Sequence, residues 1–326
     1  MILGDDLRSW ASDKTRQKQT RLAADRFVGE WSESAGYRAF IDGMAQLPER
    51  TPEAVIDAVR TLFANSFWLD ALIGRVAAEM AHDPFFEAPF TYHKGDLHAG
   101  LIVFEDDLVR IAVGITRVTQ LAARKNGKRG ALSIGLSGQL SLYKFLKAGG
   151  ATLSVWDAPE ITGDFTASSA GQCRLAERHK LADGDVLLID GRRQGFVIDH
   201  AAANLCILQA TVKIGQAPLT VEYDAASHDY VGCSAADDRS SRIQMLATLM
   251  RKLDGKAGFA AIAANLDHPD FFVRWHVMRE LLGIDAEAAL PHLRRMAAGD
   301  PHADVRRTAR SVLDRIEGAP ARQEAA

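Results

Sequence analysis

The stretch Leu181-Ala182-Asp183-Gly184-Asp185-Val186-Leu187-Leu188-Ile189-Asp190-Gly191, continued by Phe196-Val197-Ile198-Asp199, decides the fold of the middle of this chain. Gly184-Asp185 makes a tight turn, and Val186 to Ile189 form an apolar run suited to a strand. Asp190-Gly191 signals a second turn, and Phe196 to Ile198 open another strand. The rhythm is that of a small β-barrel hairpin.

The same pattern extends outward from this segment. From roughly residue 90 to 224 the apolar residues alternate: Leu101 and Val103, then Leu108, Ile111 and Val113, then Leu132, Ile134, Leu140, Leu142, Leu153 and Val155. Period-two alternation puts every second side chain on one face of a strand. Turn signals stand at Asn126-Gly127, Gly149-Gly150, Asp183-Gly184 and Asp190-Gly191. Many short strands with glycine turns and no regular helix between them predict an antiparallel sandwich or barrel, and argue against a parallel nucleotide-binding sheet. Residues 159–171, rich in Thr, Ser, Gly and Asp, interrupt the strands as a lid or a long loop.

On these residues the segment resembles the second half of a cupin, a double-stranded β-helix. The resemblance implies a barrel fold and, in metal-dependent members, a histidine about ten residues beyond the aspartate of this turn, with His-x-His and a glutamate on an earlier strand. Here the first position holds Gly195 and Phe196, and the earlier strand, Ala151 to Asp157, offers Trp156 and Ala158. The resemblance therefore implies the fold without the metal chemistry.

The flanks are helical. Between about residues 15 and 81 the spacing of Leu22, Phe27 and Trp31, and of Val55, Ile56, Val59, Leu62 and Phe63, fits helices. Thr51-Pro52-Glu53 makes a helix start: the hydroxyl caps, proline suits the first turn, and glutamate faces the positive helix end. Ser66 is expected to cap the next helix. After Arg239 the chain repeats, Pro269-Asp270-Phe271-Phe272-Val273-Arg274 matching Pro301-His302-Ala303-Asp304-Val305-Arg306. The period is 305 minus 273, or 32, and Leu281 matches Leu313 at the same offset. This resembles HEAT repeats, with units at residues 259–282 and 289–316, and Ser240 to Leu253 or the barrel supplying further packing surface. The resemblance implies that the arginine after valine braces the adjacent turn.

Candidate chemistry is sparse. Tyr143, Trp156, Phe196 and Gln209 lie on strands and either line a ligand cavity or fill the barrel core, since alternation alone does not say which face points inward. His93 and His98, in a turn-like segment, with His200 and His228, form the alternative: an atypical metal site. His179, His268, His276, His292 and His302 read as turn or surface residues. Glu105-Asp106-Asp107 and Asp237-Asp238 suit solvated turns. Arg124-Lys125-Asn126-Gly127-Lys128-Arg129 is a basic turn without interleaved aromatics, so nucleic acid ranks last among partners. Arg294, Arg295, Arg306, Arg307 and Arg310 gather positive charge on the repeats, and of these Arg294, Arg295, Arg307 and Arg310 are the candidate partner-binding residues. Gly135-Leu136-Ser137-Gly138 falls short of the nucleophile elbow, and no Walker-type or dinucleotide fingerprint is present.

The chain has 326 residues, 47% hydrophobic and 25% charged, the composition of a globular protein of two or three domains. A net charge of -3 gives no global attraction to nucleic acid or anionic lipid. Cys173, Cys206 and Cys233 show no metal-ligand spacing and are expected as buried, reduced thiols. The charged first residues exclude a secretory signal, no run approaches a membrane span, and a cytoplasmic location is expected. The sequence thus predicts an α+β protein: an N-terminal helical region (1–84), a central antiparallel cupin-like barrel (85–236), HEAT-like repeats (237–318) and a disordered tail (319–326). It favours a non-enzymatic sensor or adaptor without a cofactor, the barrel binding a small molecule or peptide and the repeats a protein partner, with a homodimer among the expectations. A divergent metal-dependent oxygenase or isomerase is the alternative, and a nucleic-acid-binding regulator comes third.

Overall fold

Five helices open the chain: α1 (Gly4–Ser12), α2 (Lys14–Ser32), α3 (Ala35–Ala45), α4 (Pro52–Ala64) and α5 (Phe67–His82). The computed structural model describes residues 4–95, 97–120, 133–253 and 255–317. The basic turn 124–129 and the tail 319–326 lie outside the described residues. Thr51 starts α4 as its sequence implies, its hydroxyl accepting from the Ala54 amide at 3.2 Å. Ser66 occupies the position before α5 without a side-chain bond. The Asn65 side chain does the capping instead, its Oδ1 accepting from Phe67 N at 2.9 Å.

Twelve strands follow among the described residues: β1 (Thr91–Lys94), β2 (His98–Glu105), β3 (Val109–Thr116), β4 (Ser133–Leu136), β5 (Leu140–Lys147), β6 (Thr152–Asp157), β7 (Arg174–Lys180), β8 (Val186–Asp190), β9 (Gln194–His200), β10 (Leu205–Val212), β11 (Leu219–Asp224) and β12 (Tyr230–Ala235). A six-stranded sheet runs β1-β2-β3-β10-β5-β8, and three-stranded sheets run β7-β6-β9 and β12-β11-β4. In the large sheet β10 separates β3 from β5, and both pairings are antiparallel. Neighbours so distant in sequence are the mark of a jelly roll, not of a meander. The turns read from sequence at Gly149-Gly150 and Asp183-Gly184 are present: Gly149 and Gly150 have φ of 59° and 63°, and Gly184 has 92°. A Cβ at Gly149 would stand 2.3 Å from the Ala203 carbonyl oxygen, so glycine is required there.

The chain forms two units: residues 1–132, 139–156 and 175–216, and residues 133–138, 157–174 and 217–326. In the first, the middle strands of the large sheet are packed on both faces. Leu140, Leu142, Leu208, Ala210, Val212 and Ile111 pack against Phe27, Val55, Val59, Phe63 and Leu72 of the helices. The alternate residues, Phe145, Leu205 and Ile189, pack against Leu153, Val155 and Ile198 of the β7-β6-β9 sheet. Two buried faces explain why apolar residues of both parities occur in β5, Leu140 and Leu142 on one side and Phe145 on the other.

The second unit holds the β12-β11-β4 sheet, the loop at 157–174 and the helices α6 (Asp238–Lys252), α7 (Phe259–Ala263), α8 (Phe271–Ile284), α9 (Ala286–Gly299) and α10 (Ala303–Glu317). The loop is anchored by the buried Ile161, Phe165 and Ala170. Tyr223 on β11 donates to Ala170 O at 2.8 Å. The helices share one core of Val273, Val277, Leu281, Leu293, Val305 and Ala309, and α6 contributes Ala247 to it. Among the described residues no helix is long and apolar enough to cross a membrane. The cysteines differ from expectation: all are free, but only Cys173 is buried, Cys206 is half-buried and Cys233 is exposed. Cys233 lies on β12, whose Val231 and Ser234 are also exposed, so that strand lacks the second packed face that would bury a thiol.

Candidate functional site

The face of β5 and β10 that looks into the barrel carries the densest polar and aromatic grouping of the first unit. Register sets it: Gln209 lies opposite Tyr143, Thr211 opposite Ser141, and Leu187 of β8 opposite Tyr143 on its other side. The Gln209 amide donates to the Tyr143 hydroxyl at 3.3 Å and to Thr211 Oγ1 at 2.9 Å. Ser141 Oγ donates to the same Thr211 oxygen at 3.4 Å. Phe196 of β9 meets the Tyr143 ring edge-on, with centroids 5.0 Å apart. Burial pushes the Tyr143 hydroxyl above its ordinary value, against the lowering effect of the Ser141 hydrogen bond. Three of the four residues expected to bind a ligand, Tyr143, Phe196 and Gln209, therefore share one surface.

Trp156 does not join them. Leu153 and Val155 face the barrel core, so alternation puts Trp156 on the opposite face of β6 with Ser154. Ser154 donates to Asp199 of β9 at 2.6 Å on that outer side.

The histidines are dispersed. His93 is exposed on β1 opposite Gly100, so it sits on a strand and not in the turn expected from sequence. His98, on β2, places Nδ1 2.9 Å from Thr116 Oγ1. His200 is exposed at the end of β9, and His228 has a φ of 64° in the turn before β12. Among the described residues no group of three or more His, Cys, Asp or Glu is placed to hold a metal ion. His179 is half-buried on β7, with Nε2 3.1 Å from Glu177. The acidic clusters serve turns and caps: Asp106 accepts from the Leu108 and Val109 amides, and Asp237 from Ser240 N, each at 2.8 Å.

On the repeats the arginines divide into two sets. Arg274 donates through Nε and Nη2 to Asp300 at 2.8 and 2.7 Å, and through Nη1 to the carbonyls of His268 and Pro269 at 2.8 Å. Arg306, its equivalent 32 residues on, donates through Nη1 to Asp300 O and Pro301 O at 2.5 and 2.9 Å. These arginines brace turns, as the HEAT resemblance implies. Burial alone would raise the Asp300 carboxyl, but the Arg274 hydrogen bonds and the His302 amide outweigh it and hold the group below the usual carboxylate range. The expected partner-binding residues lie outside the braces and are exposed. Arg294 bonds Glu317 at 3.0 Å, Arg295 stands 3.7 Å from Asp267, Arg307 pairs with Asp304, and Arg310 donates to Ala297 O at 3.1 Å.

A cavity of about 540 Å³ opens in the second unit at the turns preceding α8 and α10. His268, Phe271, His292, Arg295 and His302 line it with Asp164 of the loop. His302 is 9% exposed and stacks on Phe271 with centroids 4.0 Å apart, so its assignment to the surface is corrected. Sequence reasoning missed this site because a histidine in a repeat turn looks solvated. The available signal was positional: His268 and Asp300 are equivalents at 300 minus 268, or 32, so the turns that carry the cavity recur with the repeat.

Strand order, antiparallel pairing and the repeat period define the class: an α+β protein with a cupin-like jelly-roll barrel between N-terminal helices and C-terminal helical repeats. Residues 233–314 match the family model described as HEAT repeats. Solved structures similar to the chain include a cupin domain of Bordetella pertussis, 8% identical, covering 37% of this chain and 98% of that one, at a TM-score of 0.22. A sugar phosphate isomerase from a cupin superfamily, from Silicibacter pomeroyi, is 10% identical over 46% of this chain and 87% of that one, at 0.23. The Cnp3 cupin domain of Schizosaccharomyces pombe is 6% identical over 36% of this chain, at 0.22, and the chain spans 64% of that domain, just under two thirds of its length. No curated protein matches.

Proposed function

We propose that the protein is a non-enzymatic sensor or adaptor, whose barrel binds a small molecule or peptide and whose helical repeats bind a protein partner. The observation that carries the first half is the Ser141-Thr211-Gln209-Tyr143 line beside Phe196: neutral donors and acceptors next to aromatic surface on the inner face of a barrel. Such a surface orients a ligand without supplying an acid, a base or a nucleophile. The second half is supported by the HEAT match and by the exposed Arg294 and Arg295, whose partners are surface carboxylates that a partner's acidic groups can replace at little cost. A cytoplasmic location and a homodimer belong to the same proposal.

The test is native mass spectrometry of freshly purified full-length protein, before and after chelation. The expected spectrum shows an organic mass that survives chelation and is lost in Gln209→Ala. A stoichiometric metal removed by chelation would favour the alternative, a metal-dependent oxygenase or isomerase, and direct mutagenesis to His93, His98, His200 and His228.

A further inference from the structure

The helices of the second unit form a series: α8 packs between α6 and α9, and α9 between α8 and α10. Such a series needs a polar outer face at each end to stay soluble. At one end α10 has it, with Arg307, Thr308, Arg310, Ser311, Asp314 and Arg315 exposed; Ile316, at 38%, is its most exposed large apolar side chain. At the other end α6 does not. Its Met245, Leu246 and Leu249, with Leu253 just beyond, are 48–70% exposed. The inner side of α6 is committed to the fold. Ala247 joins the shared core, the buried Ser240 donates to Asp270 at 3.0 Å, and Thr248 and Arg251 both bond Glu280.

The outward residues lie along a line. Asp238, Arg242, Met245, Leu249 and Lys252 are spaced 4, 3, 4 and 3 residues apart, which keeps them on one side of the helix, with Leu246 and Leu253 along its edge. That spacing is the seam along which a second helix packs. Arg239 flanks it, and Arg239, Arg242 and Lys252 form no ion pair among the described residues. Three cations against the Asp238 carboxylate leave 3 minus 1, or 2, unbalanced positive charges here, on a chain whose net charge is -3.

We propose that the outer face of α6 docks an acidic amphipathic helix of a partner protein, laid along the line from Asp238 to Lys252. Its apolar side chains cover Met245, Leu246, Leu249 and Leu253, and its flanking carboxylates pair with the three cations. An exposed apolar patch rimmed by charge marks such a surface. A second copy of this chain is disfavoured, because two such faces bring their excess cations together. An anionic bilayer is disfavoured too: Asp238 and Arg242 stand in the line itself, and a bilayer taking in the leucines would take them in as well. The proposal rests on the reading of the repeats as a partner-binding module and deepens it, moving the contact from the exposed arginines of α9 and α10 to α6.

The probe is a displayed library of three-heptad helical peptides, with leucine at every a and d position and Glu, Gln or Lys at random elsewhere, selected on the full-length protein. Acidic peptides are expected to be enriched, with affinity falling about tenfold or more in the double variant Leu246→Gln/Leu249→Gln. Both positions are exposed and glutamine is a good helix former, so this variant is expected to keep the wild-type Tm. In Arg239→Glu/Arg242→Glu the face carries one cation and three carboxylates, and the same selection is expected to enrich basic peptides. Those carboxylates stand toward the positive helix end, where they are tolerated.

Enrichment without charge preference, or peptides that bind the glutamine variant as tightly as wild type, overturns the site. Peptides lost instead when Arg295 and Arg307 are changed to Glu overturn this face and leave the partner reading standing. No enrichment at all overturns the acidic helix and removes support for the partner reading. Sedimentation velocity and flotation with phosphatidylserine–phosphatidylcholine vesicles separate the other occupants. An oligomeric state unchanged by the glutamine variant, and no flotation, are expected. A dimer that dissociates in that variant puts a second copy on the face, and flotation lost in it puts a membrane there; either overturns the acidic helix.

Discussion

The barrel interior and the helical repeats both bury polar side chains, the barrel with a neutral line, Ser141, Thr211, Gln209 and Tyr143, and the repeats with an ion pair, Arg274 and Asp300. A neutral hydrogen bond contributes about 1 kcal/mol net and can be exchanged for one to a ligand. A buried ion pair adds little against an apolar alternative, yet removing one partner strands a charge. The barrel line is therefore suited to changing partners, and the Arg274 brace to fixing where one repeat turn sits on the next.

The largest effect expected from that contrast is at the brace. Arg274→Met leaves Asp300 buried and unpaired and should destabilise by about 3–5 kcal/mol, read by urea denaturation. Arg306→Met, at the equivalent position 32 residues on, removes two bonds to carbonyls and strands no carboxylate, so about 1–2 kcal/mol is expected. Equal losses would break the comparison. Acid tests the same pair. Because the folded Asp300 carboxyl is held low, the unfolded chain takes up its proton first, near pH 3.9. The stability this group contributes is present above that pH and lost as pH falls through the lowered folded value. Thermal scans from pH 6 to 3 should show the wild type losing its advantage over Arg274→Met.

In the barrel the largest expected loss is steric. Gly149→Ala, at a φ of 59° and with its new Cβ against Ala203 O, should cost about 1–3 kcal/mol by thermal unfolding. Tyr143→Phe removes the hydroxyl that accepts from Gln209 and should cost about 1 kcal/mol of stability while reducing retention of any barrel ligand in native mass spectra. At the small end, Arg294→Ala breaks an exposed pair with Glu317 and should change stability by less than about 0.5 kcal/mol. A larger loss there would mean that the exposed arginines hold the repeats together and are not free to exchange partners.

Much of the architecture was legible because local chemistry and tertiary structure agree. Asp190-Gly191 turns where glycine and aspartate favour a turn, Thr51 caps where its hydroxyl reaches an amide, and the period of 32 returns Arg274 and Arg306 to the same task. The candidate site was legible only in part. Tyr143, Phe196 and Gln209 meet, but Trp156 is on the wrong side of β6. Apolar residues stand on both faces of β5, Leu140 and Leu142 towards the helices and Phe145 towards the barrel, so polar and apolar alternation does not mark its inside.

The sequence by itself determined the elements, their turns, the antiparallel class and the repeat, since each follows from backbone preferences and spacing within a few dozen residues. Only the tertiary structure decided which face of β5 looks inward, which arginines are committed to turns, and that His302 is buried with an unpaired nitrogen. Those outcomes depend on what packs from elsewhere in the chain: the N-terminal helices against one face of the sheet, Asp300 against Arg274, Phe271 against His302. A side chain's role is set by its neighbours' donors, acceptors and volume, and spacing along the chain does not record them.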